Sequence, residues 1–278
     1  MKKFIKETLT NFWRLHKGRV LKNEKLKNTH AGETCFIFAN GASLKYYDIS
    51  KLPNFPSIVC TYSLIDKRLN NLNVKYCTLG ESYSLYPILY NTYSHIRRFQ
   101  RNKIRPIFEN IIARNQHVTF FVNLTNCYSY SCRHENVHHF YHFGDKTSLS
   151  YNLAGNFATC YGALDYMLGM AKYLGFSKAI LLGCDYLGSP TTIGHFYSDT
   201  KPCTGPYFPE YCSRIKAAAE GIEVLVILPE GVSSPDFKYD SYERYFGLVK
   251  NYTENVEFID SQYLQLMRKA AVPTQIIM

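Results

Sequence analysis

The sequence lacks the features that mark several large classes of protein. No run of about 18 apolar residues occurs in its 278 residues, which argues against a membrane-spanning helix. The glycine-rich patterns GxGxxG and GxxxxGK[ST] are missing too, so NAD-binding and P-loop functions lose their main support. The N-terminus shows no continuous apolar core of a signal peptide. We therefore expect a cytoplasmic protein without a transmembrane segment.

Cysteine and histidine spacing gives no support for a metal site. The nine cysteines are odd in number, and no two have the CxxC spacing of a zinc or redox motif. Several, such as Cys60 and Cys184, lie in apolar runs where a thiol behaves as a small hydrophobic group. On a strand, His138 and His142 would share one face and His139 the other, which disfavours a three-histidine site. We predict reduced thiols and no metal.

Positive charge is concentrated at the N-terminus. The formal net charge is +10, and residues 1–27 hold nine lysines and arginines against two glutamates, a local balance of +7. Apolar side chains recur there at helical spacing and include Trp13, the only tryptophan.

Two interpretations of residues 1–27 stay open. They form a helix on an anionic membrane surface, at the inner face of the membrane, or a helix packed on the domain with solvated lysines. If the first holds, deletion of residues 1–27 should release the protein from anionic liposomes without loss of solubility. Nucleic acid is not expected as a partner, because the basic residues do not continue as a groove interleaved with aromatics.

A basic segment, residues 1–30, thus precedes a predicted single α/β domain, residues 31–278. Seven apolar or β-branched runs predict strands, at residues 34–39, 57–61, 74–79, 118–122, 137–141, 178–185 and 223–228. Helical periodicity covers residues 159–173, with Gly175 as the C-cap, and a second helix is predicted over residues 210–220. A short strand over residues 256–259 and a helix over residues 262–269 follow. This order predicts a mostly parallel, doubly wound Rossmann-like sheet of about seven strands with helices on both faces.

Three of these strands lead into polar residues that suit a ligand. The turn Asn40 to Ser43 offers backbone N–H groups and short side chains of the kind that bind phosphate or ribose. Gly80 and Glu81 follow the third strand, and the segment from Asp185 to Tyr197 follows the sixth. Because ligands of parallel sheets gather at the carboxyl ends of the strands, we expect these segments to converge.

His195 is the main candidate for a catalytic base. It is the only histidine after residue 142, and it lies in a loop rich in Gly, Pro, Thr and Ser. An imidazole accepts a proton near neutral pH, although an ordinary solvated histidine stays the alternative. Tyr197 is the tyrosine best placed to donate a hydrogen bond to a leaving phosphate. Asp185 either acts in ribose, metal or base chemistry or caps a loop, and both roles stay open.

Two segments resemble known glycosyltransferases. FIFANGASLKYYDISKLPN resembles the start of the bacterial sialyltransferases of glycosyltransferase family 42, which open with a strand, a GNGPSL-type turn and D-x-S-x-L-P. YMLGMAKYLGFSKAILLGCDY is similar to their helix, turn and strand ending in G-x-D-[FY]. Both segments also resemble the related domain of unknown function 115 family, which includes flagellin-modifying glycosyltransferases and archaeal pterin pyrophosphokinases.

The resemblance implies roles for individual residues. Asn40 and Gly41 match the turn that contacts the cytidine nucleotide, and Ser43 matches the serine of that motif. Asp185 and Tyr186 match the strand end beside the site.

The chain also departs from the sialyltransferase pattern. Ala42 replaces the usual proline, and Thr61 stands where those enzymes have a nucleotide-binding asparagine. Their catalytic histidine lies some thirty residues after the strand end, whereas His195 follows about ten residues on, as in the second family. The predicted nucleotide-binding residues are Asn40, Gly41, Ser43, Thr61, Gly80 and Tyr186.

The resemblance implies transfer of a sialic-acid-like sugar from a CMP-activated donor to a glycan or protein hydroxyl, without metal or cofactor, in surface polysaccharide biosynthesis. Two alternatives stay open. One is a pterin-type pyrophosphokinase that uses ATP and magnesium, and the other is a non-catalytic nucleotide-binding scaffold. The oligomeric state, a homo-oligomer included, also stays open.

Overall fold

A computed structural model describes residues 2–60, 62–80, 105–141, 150–158, 162–199, 201–249 and 251–270. Its centre is an eight-stranded sheet in which all neighbouring strands are parallel. In chain order, these strands are β1 (Thr34–Phe38), β2 (Ser57–Cys60), β3 (Val74–Leu79), β4 (Thr119–Asn123), β5 (Val137–Phe140), β8 (Lys178–Leu182), β11 (Glu223–Leu228) and β12 (Lys238–Ser241). Two small antiparallel pairs accompany it: β6 (Ser150–Tyr151) with β7 (Phe157–Ala158), and β9 (Thr191–Ile193) with β10 (Cys203–Gly205).

Helices cover both faces of the large sheet. They are α1 (Lys2–Leu21), α2 (residues 105–114), α3 (Gly162–Leu174), α4 (Pro209–Ala218), α5 (Tyr242–Phe246), α6 (Asn255–Phe258) and α7 (Ser261–Ala270). Alternate residues of β1 point into opposite cores, Phe36 and Phe38 into one and Cys35 and Ile37 into the other. The first core contains residues of α2 and α7, and the second contains residues of α3 and α4. The predicted Rossmann-like architecture is confirmed.

The order of the strands reverses at one place. Across the sheet the order is β12-β11-β8-β1-β2-β3-β4-β5. From β1 the chain builds the sheet in one direction as far as β5, and then returns to place β8 on the other side of β1. At such a reversal, the loops that follow the two neighbouring strands lead in opposite directions. Ligands of doubly wound sheets bind in the crevice between these loops. The fold therefore directs attention to the loops after β1 and β8.

One sequence prediction near the C-terminus is wrong. The eighth strand is β12, not residues 256–259, and its sequence KYDS is too polar to show a strand pattern. Residues Asn255–Phe258 instead form a helical turn. A capping box explains it, because the Glu254 side chain accepts from the backbone at Glu257 while the Glu257 side chain accepts from the Glu254 N–H.

Helix α3 and strand β8 show how closely the local pattern predicts structure. Gly175 follows α3 with a φ of 92°, a left-handed conformation that glycine adopts readily, and this confirms the predicted C-cap. Strand β8 is shorter than predicted, because it ends at Leu182 and the chain turns at Gly183, whose φ is 68°. Asp185 consequently lies in the loop after β8, at the start of a short 3-10 helix.

Helix α1 lies against β5, the last strand of the sheet. Trp13 packs on Tyr141 with ring centroids 4.8 Å apart, and Val20 is fully buried. Just beyond the helix, buried Asn23 donates hydrogen bonds of 2.8 Å to the backbone carbonyls of His139 and Leu153. The segment from Trp13 to Asn23 is thus attached to the domain, and deletion of residues 1–27 is not the clean test expected from the sequence, because it would leave these carbonyls without their partner.

The described cysteines and histidines lie mostly within the domain. The eight described cysteines are free thiols, and all of them except Cys203 are buried. His138 and His139 project to opposite sides of β5, while His142 lies outside the described residues. Within the described residues, no helix is both long and apolar enough to cross a membrane.

Candidate active site at the β1 and β8 strand ends

The turn after β1 is packed directly on the loop after β8. The Gly41 N–H donates a 2.8 Å hydrogen bond to the Gly183 carbonyl. A Cβ atom at position 41 would lie 2.4 Å from that oxygen and 2.6 Å from the Asp185 carboxylate. Only glycine fits here, and the need for it comes from the protein's own packing. The match of Gly41 to a nucleotide-contacting turn stays a prediction.

Asp185 closes the same contact from the other side. Its carboxylate accepts from the Ser43 N–H at 2.8 Å and from the Ser43 hydroxyl at 2.5 Å, and Asp185 is 1% exposed. Burial raises the pKa of the carboxyl to about 6, although the hydrogen bonds from Ser43 act in the opposite direction. Of the two roles left open for Asp185, the geometry supports the loop cap. Catalysis by Asp185 and nucleotide binding by Ser43 stay predictions.

His195 lies beside the turn, as the sequence analysis expected. It forms an antiparallel bridge with Gly41, and the Phe196 N–H donates a 3.0 Å hydrogen bond to the Asn40 carbonyl. Burial lowers the pKa of His195, and a hydrogen bond with the Asn40 backbone partly opposes this shift. The imidazole is therefore neutral at pH 7, the form that can accept a proton.

The surroundings of the imidazole fix its position. Its ring stacks on Tyr197, with centroids 4.9 Å apart and planes 27° from parallel. Tyr197 is 7% exposed and also packs on Tyr62 at 5.4 Å, so its ring supports the imidazole from within the core. Nδ1 of His195 is buried and has no hydrogen-bond partner among the described residues. Leaving a buried polar atom unpaired costs about 1–3 kcal/mol.

Asn40 presents an oriented amide at this edge. The Ser63 hydroxyl donates a 3.0 Å hydrogen bond to Oδ1 of Asn40, and the residue is partly exposed. Within the described part of the chain, Nδ2 of Asn40 makes no hydrogen bond. The amide therefore has a donor available for a ligand above the strand ends.

The other predicted binding residues lie farther from the turn or outside the described residues. Gly80 follows β3, which β2 separates from β1, and a Cβ there would lie 2.6 Å from the Tyr166 ring. Tyr186 points toward α4, with its ring 6.3 Å from that of Tyr211. Its hydroxyl is buried without a partner among the described residues. Thr61 and Glu81 lie outside the described residues. Nucleotide binding by Gly80, Thr61 and Tyr186 stays a prediction.

Three side chains that the sequence analysis missed hold the His195 loop in place. Lys45 is 2% exposed and donates a 2.8 Å hydrogen bond to the Ser198 carbonyl. Asn255 donates to the Tyr197 carbonyl at 3.1 Å, and Arg268 donates to the Asp199 carboxylate at 2.8 Å and 3.1 Å. Lysine and arginine normally indicate solvated surface, so their pattern gave no signal. Lys45 does lie two residues after the NGAS turn, and that proximity was the available hint.

A buried ion pair supports the same turn from below. Asp66 is 1% exposed, and its carboxylate accepts hydrogen bonds from the Arg68 guanidinium. Arg68 also donates to the backbone carbonyls of Leu44 and Tyr47 at 3.2 Å. These bonds fix the 3-10 helix Ala42–Tyr46 that follows the turn.

The described residues gather no group of three or more His, Cys, Asp or Glu side chains that could hold a metal ion. Two open cavities lie away from the turn. One, of about 470 Å³, is lined by residues of α4 and by residues next to or in β11 and β12. The other, of about 570 Å³, lies at the carboxyl ends of β11 and β12, between Pro229 and Arg244.

No protein-family model and no curated protein matches this chain. Among solved structures, it is similar to the sialyltransferase CstII from Campylobacter jejuni in complex with cytidine-5'-monophosphate, with 15% identity, 86% of this chain and 99% of that chain covered, and a TM-score of 0.40. The CstII complex with CMP-3FNeuAc gives 14% identity, coverage of 86% and 99%, and a TM-score of 0.42. The CST-II complex with a trisaccharide acceptor and CMP gives 16% identity, with 86% of this chain and 100% of that chain covered, and a TM-score of 0.37. Similarity at this level says nothing of activity, which rests on the site itself.

The contact at Gly41 yields the first prediction. Gly41→Ala should destabilise the protein by about 1–3 kcal/mol, because the added methyl group overpacks a site bounded by backbone and a buried carboxylate. Gly18→Ala is the matched control, since a Cβ there meets nothing within 4 Å in an α1 position. It should stabilise by about 0.5–1 kcal/mol. Urea unfolding measures both, and a Gly41→Ala protein as stable as wild type would contradict the packing.

Proposed function

We propose that this protein is a glycosyltransferase that moves a sialic-acid-like sugar from a CMP-activated donor to a hydroxyl of a glycan or protein. The observation that carries the proposal is the position of the NGAS turn and His195, which touch each other at the strand-order reversal. The two sequence segments that resemble sialyltransferases supply these strand ends. Fold position and sequence motif therefore support the same site.

The donor's nucleotide would bind at the turn after β1. Asn40 offers its amide Nδ2, whose orientation Ser63 fixes through Oδ1. An amide donor suits a ribose hydroxyl, a phosphate oxygen or a cytosine carbonyl. The turn itself is held by Asp185 and Arg68, so the amide is positioned before the ligand arrives.

The chemical step would use His195 as general base. The imidazole accepts the proton of the acceptor hydroxyl while the hydroxyl oxygen forms a bond to the anomeric carbon of the sugar. The bond from that carbon to the phosphate oxygen breaks, and CMP leaves with the electron pair. The lowered pKa of His195 keeps the base unprotonated at neutral pH. Lys45, Asn255 and Tyr197 act as positioning residues, because they hold the loop and the ring.

Nucleotide binding is tested by thermal denaturation. CMP in EDTA should raise the melting temperature, since a ligand at 100 times its Kd stabilises by about 2.7 kcal/mol. Asn40→Ala should weaken CMP binding by ~10- to 100-fold through loss of a hydrogen bond to a polar or charged group. The control is Asn54→Ala, an exposed asparagine in another loop. Stabilisation by ATP only with magnesium would favour the pyrophosphokinase, and an unchanged CMP affinity in folded Asn40→Ala would remove the turn from the site.

The catalytic role of His195 is tested by turnover. His195→Ala should lower kcat by ~10²- to 10⁴-fold and leave the Kd for CMP nearly unchanged, because a general base acts on the transition state. His117→Ala, at an exposed histidine, should behave as wild type. The wild-type rate should survive EDTA. Full activity in His195→Ala with its true acceptor would refute the assignment.

A further inference from the structure

Helix α1 uses one face to bind the domain. Besides the contact of Trp13 with Tyr141, a 2.8 Å hydrogen bond joins Nε2 of His16 to the Tyr128 hydroxyl. Asn23 continues the attachment beyond the helix. From Trp13 onward, the aromatic face that the sequence analysis considered for membrane binding therefore packs on the domain. The opposite face of the helix points outward.

The exposed surface of α1 and of the segment that follows it carries an excess of positive charge, which we call the basic patch. It consists of Arg14, Lys17, Arg19, Lys22, Lys25 and Lys27. All six residues are exposed, and the only carboxylate interspersed among them is Glu24. None of the six forms an ion pair with a carboxylate of the described residues. Elsewhere, ion pairs join carboxylates to Lys51, Arg68, Arg105, Arg114, Lys178, Lys216, Lys238, Arg244 and Arg268.

The positive field of the basic patch reaches neighbouring groups. Burial first, and then the positive charges of Lys25 and Lys22, lower the pKa of His138 to about 4. The pKa of His139 is lowered to about 3, again first by burial and then by the charge of Arg19. The positive charges that disfavour protonation of these histidines also attract an anion to the same surface.

Two leucines lie within the basic patch. Leu15 is 79% exposed and Leu21 is 41% exposed. Within α1, Leu15 shares a face with Arg19, and Leu21 shares a face with Arg14 and Lys17. Exposed leucines among lysines and arginines are characteristic of helices that bind at the headgroup level of a membrane.

We propose that the basic patch docks the protein on an anionic phospholipid surface. Its unpaired charges complement acidic headgroups, and each lysine or arginine near such a surface adds to binding. Leu15 and Leu21 enter the headgroup region. Single-stranded nucleic acid fits less well, because stacking needs a row of exposed aromatic rings, whereas Trp13 is packed against Tyr141 and the half-exposed Tyr128 is bonded to His16. This proposal does not depend on the glycosyltransferase function.

Vesicle sedimentation of the full chain tests the proposal. The test variant combines Arg14→Glu, Lys17→Glu and Lys22→Glu, and the control combines Lys201→Glu, Lys216→Glu and Lys238→Glu, which gives the same change in net charge elsewhere on the surface. Wild type and control should bind phosphatidylglycerol vesicles and not phosphatidylcholine vesicles. The patch variant should bind phosphatidylglycerol at least ~100-fold more weakly.

A salt titration of the unmodified protein keeps the test valid if the triple variant does not fold. Binding to phosphatidylglycerol should fall steeply as ionic strength rises, because exposed charges are screened. Four results would overturn the proposal: undiminished binding by a folded patch variant, an equal loss in the control, binding to phosphatidylcholine as strong as to phosphatidylglycerol, or tighter binding to a single-stranded oligonucleotide than to vesicles.

Discussion

The close contact between the strand ends of β1 and β8 is the constraint on which the rest of the site depends. Gly41 lies against Gly183, and the Asp185 carboxylate binds the backbone and hydroxyl of Ser43. Because the two loops are joined there, the His195 segment passes directly beside the turn. Ligands of doubly wound sheets bind where the strand order reverses, and this contact lies at that reversal.

Much of the fold could be predicted because buried parallel strands are continuously apolar, as in β8 and β11. The convergence of Asn40 and His195 followed from strand direction alone. β12 escaped detection because an edge strand with half-exposed polar residues shows no apolar pattern. Lys45 and Arg68 escaped for a different reason. Their burial depends on partners far along the chain, Ser198 for Lys45 and Phe258 beneath the Arg68 guanidinium, which no local pattern reveals.

The predicted site residues fall into two groups according to what their atoms contact. Gly41, Ser43 and Asp185 contact one another and are almost fully buried, so their first role is to shape the turn. Asn40 and His195 each have a polar nitrogen that the described residues leave unpaired. In the proposed function, the Asn40 amide donates to the nucleotide and the neutral His195 imidazole takes a proton from the acceptor hydroxyl.

Amide hydrogen exchange in the presence of CMP tests most directly whether the strand-order reversal is the ligand site. The account predicts slower exchange in residues 40–47 and 191–199, because a nucleotide at the turn stabilises both loops together. The cavity between Pro229 and Arg244, at the carboxyl ends of β11 and β12, is the internal reference and should not change. Protection confined to that cavity, with residues 40–47 and 191–199 unaffected, would contradict the account.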